Sequence, residues 1–289
     1  MQRHHYVPQF YFKKWYLSGK SAFWLHCLTK HGDVLSGHKS ARSIGFRNGL
    51  YSIIPELLNG AACISNDIEN KFFSRIDSDV SLILDKILAN GVGSLTCEER
   101  CVWCLFVDSI LKRNPERIDE NIEYASSIAA QSLFELAVAN KWNVSVLDKI
   151  RKTVDVEAIA NNVVLLEMVK EICKSESVAT LFGMRWLTIQ LPDGKDHFIT
   201  CDYPILVNGA SDGWPIYLIS MAISPDKLLV MHIDDENFDE EFIRTLAVMH
   251  NPLIAKRARK YLISSKEMSD EGFVKNKRLL KEVFKKPIL

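Results

Sequence analysis

From about residue 64 to residue 176 the apolar side chains return at helical spacing, and this long tract constrains the fold more than any other feature. Ile68, Phe72, Ile76 and Val80 recur four apart, and Ile83 and Ile87 carry the stripe on to Gly91. Thr96 and Glu99 have the spacing of a capping box, so a new helix starts there. It should run to about Arg113, because Pro115 cannot continue it comfortably. Further helices are predicted over 115–139, 143–152 and 155–176. On both sides of this tract the texture changes. Ahead of it lie a short helix over 8–18 opened by Pro8, a strand at Ser21–Thr29, a turn at Lys30–Asp33 leading into another strand, and an extended piece at Leu50–Ile54. After it, Met184–Gln190, His197–Thr200, Ile216–Ala222 and Leu228–His232 read as strands. Helices at Asp239–His250 and Pro252–Lys260, a short strand at Tyr261–Ser264 and a basic final helix complete the chain. The expectation is an α+β fold, with a mixed sheet built from both chain ends and residues 64–176 inserted as a helical region. All 289 residues are expected to form one domain.

Composition narrows the function classes. With 47% hydrophobic and 25% charged residues the chain can bury a sizeable core. No run of eighteen apolar residues is present, so no membrane span or membrane partner is expected. The opening Met-Gln-Arg-His-His-Tyr lacks the apolar stretch of a secretory signal, and seven cysteines is an odd number; both point to a reduced cytoplasm. No glycine-rich phosphate loop is visible, so neither ATP nor NAD, nor any other cofactor, is expected. Net charge is zero, yet residues 1–50 carry eight Lys/Arg against Asp33, and residues 250–289 carry eleven Lys/Arg against four acids. The middle is correspondingly acidic. Basic ends that meet in space would attract a polyanion such as nucleic acid; ends that pair with the acidic middle would not. Charge alone does not decide between them.

Two short stretches stand out as carriers of chemistry. His4-His5-Tyr6-Val7-Pro8-Gln9-Phe10-Tyr11 places adjacent imidazoles ahead of an aromatic run. An imidazole can donate to phosphate, shuttle a proton or ligate a metal. The second stretch is Thr200-Cys201-Asp202-Tyr203-Pro204, where a strand ends in a carboxylate and proline stops further pairing. Strand-end carboxylates are rigidly held and accessible, though an aspartate capping its own turn gives the same pattern.

These motifs resemble a bacterial family of uncharacterised proteins whose members start with His-His-Tyr-Val-Pro and an aromatic-rich helix. Its members later carry Thr-Ser-Asp-x-Pro and a Ser-Pro ahead of a strand. Here the matching residues are His4 to Tyr11, Thr200 to Pro204, and Ser224-Pro225, with Arg113, Pro115 and Asn251 at similar positions. Cys201 stands where serine is usual and leaves Asp202 unchanged. The resemblance covers nearly the whole chain. It implies a bacterial protein encoded near phage-defence genes and a functional role for His4, His5 and Asp202.

The chemistry that asks least of these residues is glycosidic hydrolysis. Its oxocarbenium-like transition state needs one carboxylate to stabilise the sugar or activate water, and an imidazole can assist the departing base. The leading expectation is therefore a DNA glycosylase of phage defence, with Asp202, His4 and His5 catalytic and no metal. Tyr6, Tyr11, Tyr203, Arg113 and Asn251 are candidate substrate contacts for a base turned out of the stack. Lys256, Arg257, Arg259 and Lys260 are candidate phosphate contacts, or simply a solvated helix face. DNA is favoured over RNA as partner, and the sequence is silent on oligomeric state. Two alternatives stay open. A metal-dependent nuclease would need more carboxylates than are seen, and adjacent histidines on an extended chain point to opposite sides. A non-catalytic sensor or binding module would use His4, His5 and Asp202 as a buried hydrogen-bond network. Cys97, Cys101 and Cys104 sit at helical spacing with Trp103 and Phe106 and read as core; His232 and His250 read as satisfied structural histidines.

Overall fold

The computed structural model describes residues 1–28, 34–54, 64–174, 176–192, 197–208, 218–233 and 239–267. In chain order the strands are β1 (Arg3–His5), β2 (Phe23–Leu28), β3 (Val34–Lys39), β4 (Phe46–Asn48), β5 (Arg185–Gln190), β6 (Thr200–Cys201), β7 (Leu206–Asn208), β8 (Leu218–Ser224), β9 (Lys227–His232) and β10 (Leu262–Ser264). The helices are α1 (Gln9–Phe12), α2 (Ser74–Asn90), α3 (Cys97–Lys112), α4 (Pro115–Ala139), α5 (Val144–Thr153), α6 (Val156–Lys174), α7 (Glu176–Gly183) and α8 (Glu240–Arg257). The fold is α+β. The turn expected at 30–33, the first two residues of the strand expected at 216–222, and the basic final helix lie outside the described residues.

The chain divides into two compact units, each gathering separate stretches of sequence. The first holds Met1–Tyr6, Phe46–Ser78 and Leu105–Val178; the second holds Val7–Gly45, Asp79–Cys104 and Ala179–Leu289. The helical tract 64–176 is therefore shared out, its residues 79–104 belonging to the second unit.

In the first unit β1 and β4 form a short antiparallel ladder that aligns His4 with Arg47 and His5 with Phe46. These strands are three residues long, too short for alternation to announce them in sequence. The chain then enters the apolar stripe through a π-helical stretch, Ile68–Phe73, that leads directly into α2. Pro115 closes α3 and opens α4: Asn114 caps the new helix by accepting the amides of Glu116 and Arg117, with the proline at the first position where its missing N–H costs nothing. Helix α6 packs along α4, burying Ala158, Leu165, Met168 and Ile172.

In the second unit, strands from both chain ends do share a sheet, in the order β3-β2-β10-β6. Leu25 of β2 faces Ile263 of β10, and Leu262 faces Cys201 of β6. Where the sequence suggested a mixed sheet, every ladder among the described strands is antiparallel, since neighbours arrive by hairpins or by crossings that reverse direction. A second sheet, β5-β9-β8-β7, has β8 buried at every residue. Tyr11, Phe12 and Trp15 are buried ahead of it, and Gly45 is irreplaceable beside them. Its φ is +68°, and a Cβ there would come within 2.6 Å of the Phe12 ring. Helix α8 seats Ile254 and Ala255, and Ala258 just past its end, on Ile199, Cys201 and Leu262. Two helices were expected here, broken before Pro252, but α8 runs through that proline. The carbonyl deprived of its donor belongs to Val248, an exposed residue where water can serve it.

Candidate functional site

The polar cluster of the first unit starts from strand alternation. On β1, His4 points inward and is fully buried, while Arg3 and His5 share the opposite face. That face is completed by Phe46: the Arg3 guanidinium lies 4.5 Å from its ring centre and the His5 ring 5.6 Å away. His4 stacks on the Tyr51 ring at 5.6 Å and an angle of 8°. Its Nδ1 accepts the Tyr51 backbone N–H at 2.8 Å, so the neutral ring carries its proton on Nε2. Burial lowers the His4 pKa, with the Asn66 side chain acting the other way.

Around these histidines the π-helical stretch and the end of α3 place two acids and a buried arginine. Glu69 Oε1 accepts the His5 backbone N–H at 3.3 Å. Arg113 is wholly buried and clasps Asp77 through Nη2 at 2.9 Å and Nη1 at 3.4 Å. Its guanidinium lies over Phe73 at 4.9 Å, and its carbonyl accepts the Tyr51 hydroxyl at 3.1 Å. Burial works against the Arg113 charge, but Asp77, Tyr51 and Glu69 outweigh it and hold the guanidinium charged.

The electrostatic outcome is a carboxyl and an imidazole whose proton affinities are pushed in opposite directions. Burial drives Glu69 up to about 7, against the opposing pull of the His5 N–H and Arg113. Burial, then the charges of Arg3 and Arg113, push His5 down to about 4. Near neutral pH, Glu69 therefore exchanges a proton readily while His5 stays uncharged. Among the described residues, Glu69 Oε2, His5 Nε2 and Arg113 Nε are buried without hydrogen-bond partners. Unsatisfied buried polar atoms are costly, and several in one cluster are more typical of a working site than of a packing core. No three His, Cys, Asp or Glu side chains among the described residues are arranged to hold a metal ion.

Asp202 belongs to the second unit, where its partners are backbone amides. Its Oδ1 accepts the N–H of Arg259 at 3.0 Å and its Oδ2 that of Lys260 at 2.9 Å. The carboxyl is 1% exposed, and burial raises it to about 7 against the pull of those amides. This capture ends α8 at Arg257, so the basic run expected on one helix face leaves the helix midway: Lys256, Arg259 and Lys260 are exposed, and Arg257 is half-buried. Asn251 anchors the same edge, accepting the Ile199 N–H at 3.0 Å and donating to the His197 carbonyl at 2.9 Å. The Tyr11 hydroxyl donates to the Ala222 carbonyl at 2.8 Å and meets Thr200 Oγ1 at 2.6 Å. Tyr6 and Tyr11 are buried, and Tyr203 is half-buried with its N–H on Cys201 Sγ.

Of the residues marked out by sequence, then, His4, His5 and Arg113 come together, while Asp202, Asn251 and Tyr11 form a network that ties β6 to its neighbours. Sequence reasoning missed Glu69, Asp77 and Tyr51. The readable signal was spacing: Glu69, Phe73 and Asp77 lie four apart beside the apolar stripe, and a buried Arg113 needs an acid. His250 was expected to be a satisfied structural histidine; it is buried, but neither ring nitrogen has a hydrogen-bond partner among the described residues, and burial pushes it down to about 3. Cys104 is core, with its thiol pushed by burial up to about 12, whereas Cys97 and Cys101 are exposed.

Fold and site together define an α+β protein of two units, one carrying a buried His–Glu–Arg cluster and the other an amide-anchored aspartate. The chain belongs to the family of proteins of unknown function DUF4238, which it matches over residues 3–268. No curated protein and no solved structure matches it. No helix among the described residues is long and apolar enough to cross a membrane.

Proposed function

We propose that this chain is a DNA-acting hydrolase of bacterial phage defence, a glycosylase that cleaves the bond between a base, modified or not, and its sugar. The observation that carries the reading is Glu69, a carboxyl near neutrality with one oxygen unpaired, next to a neutral His5 and a charged Arg113. Cleavage through an oxocarbenium-like state needs one carboxylate to take a proton from water or to stabilise the sugar, and its pKa works best near the operating pH. Glu69 meets that need better than Asp202, whose oxygens are engaged by two amides. His5, uncharged at neutral pH, can accept or donate a hydrogen bond at the leaving base. Arg3, exposed beside it, suits a backbone phosphate.

A second reading is favoured by one observation: His4 and Asp202 are both sealed and both bonded to backbone amides, as in a non-catalytic binding module. One experiment separates them. Purified protein is incubated with unmodified and modified phage DNA, and the products are analysed for released base, abasic sites and cut strands. The glycosylase reading expects abasic sites that persist in EDTA, disappear in Glu69→Gln and survive in folded Asp202→Asn. DNA left free of abasic sites in every modification state refutes it and leaves the binding module; strand cuts lost in EDTA point to a metal nuclease.

A further inference from the structure

Helix α4 is apolar on two sides, and the first unit covers only one of them. The inner side buries Ile118 and Ala137 and half-buries Ile122 and Leu133. On the outer side Tyr124, Ile128, Phe134 and Val138 are 67%, 46%, 57% and 63% exposed. With Gln131 in their midst they follow one another in steps of four, three, three and four residues, so all five share one helix face. Contiguous exposed apolar surface of this kind marks an interaction site.

The order of residues along the stripe names its occupant. Counted from Gln131, an apolar residue stands three positions away on either side and another seven positions away. A two-fold contact asks for such a surface, because residue i of one copy must meet residue j of the other while j meets i. We propose that the outer face of α4 is a homodimer interface, with two copies of the helix paired antiparallel about Gln131. Ile128 of one copy then lies against Phe134 of the other, and Tyr124 against Val138. Gln131 meets its own copy, where the amide has a second N–H and an oxygen to offer while it keeps its 2.9 Å bond to Glu135. The ends of the stripe are complementary in charge. Exposed Glu120 lies four residues before Tyr124 and exposed Lys141 three residues after Val138, so antiparallel pairing sets each beside its opposite, where parallel pairing would face like with like. Glu120, Glu123 and Glu135 on and beside the stripe would be repelled by anionic lipid, which disfavours a membrane as the cover. From Tyr124 to Val138 the stripe covers about 21 Å of helix, a small interface that suits reversible association.

Sedimentation equilibrium of the full chain between about 1 and about 100 μM, a window matched to a modest interface, should show monomer giving way to dimer as concentration rises. Phe134→Glu sets a charge against Ile128 and should weaken dimerisation at least tenfold. The melting temperature at high dilution should stay unchanged, because the residue is exposed. Ile128→Glu serves the same purpose if Phe134→Glu does not fold. Glu120→Lys and Lys141→Glu should each weaken the dimer, and both together should restore it to within about twofold of wild type. The proposal is overturned if the chain stays monomeric throughout, if a folded Phe134→Glu or Ile128→Glu variant dimerises as before, or if the two charge reversals act independently.

Discussion

Replacing Asp77 by Asn should unbalance the first unit more than any other single conservative change. Arg113 is completely buried, and Asp77 is its counter-ion through two hydrogen bonds at 2.9 and 3.4 Å. The Asp77 side chain is only 21% exposed, so water screens the pair weakly. Asparagine keeps the shape but leaves a buried guanidinium without a matching charge, and breaking a buried pair from one side costs about 3–5 kcal/mol. The bonds themselves support that scale, since a hydrogen bond to a charged group contributes about 1.5–3 kcal/mol. Urea unfolding of the wild type, Asp77→Asn, Arg113→Met and the double variant Asp77→Asn/Arg113→Met would measure it. Each single change should lose about 3 kcal/mol or more, and the double should lose clearly less than their sum, because it removes both charges together. A loss below about 1 kcal/mol for Asp77→Asn, or strict additivity in the double variant, would refute the reasoning.

Further expectations concern protons and anchors. Glu69 titrates higher folded, at about 7, than its ordinary 4.5, so the stability it lends is complete below about 4.5 and fades as pH rises through 7. Glu69→Gln should therefore flatten the fall in stability over that window in unfolding curves taken across pH; an unchanged slope would contradict the assignment. His5 behaves oppositely. Its folded pKa is lowered to about 4 from 6.5, so its contribution is present above 6.5 and is lost as pH falls towards 4, a loss that His5→Gln should abolish. Asp202→Asn keeps one acceptor but sets an NH2 group against a second amide, and one unsatisfied buried donor should cost about 1–3 kcal/mol in denaturant unfolding. Tyr11→Phe strips the Ala222 carbonyl and Thr200 of their shared hydroxyl, with a similar expected loss of about 1–3 kcal/mol, readable as a lower melting temperature.

Local chemistry alone was enough to read the helical middle. The stripe from Ile76 to Ile87 is buried as its spacing required, Thr96 and Glu99 exchange the two bonds of a capping box, and Pro115 opens a helix at Asn114. The long strands of the second unit were legible for the same reason, since period and punctuation are properties of neighbouring residues, and the order of strands around the helical tract led to a sheet shared by both chain ends. What the sequence hid was which distant groups meet. Asp202 read either as an accessible carboxylate at a strand end or as an aspartate capping its own turn, but the segment between α8 and β10 brings the amides of Arg259 and Lys260 to it, fifty-seven and fifty-eight residues on. Glu69 went unread in the sequence, and only the fold sets it against His5, sixty-four positions away, and moves its proton affinity towards neutrality. Helices and strands follow from local spacing; burial, and with it the pairing and pKa of every ionisable group in the site, is decided only when remote segments pack and exclude water.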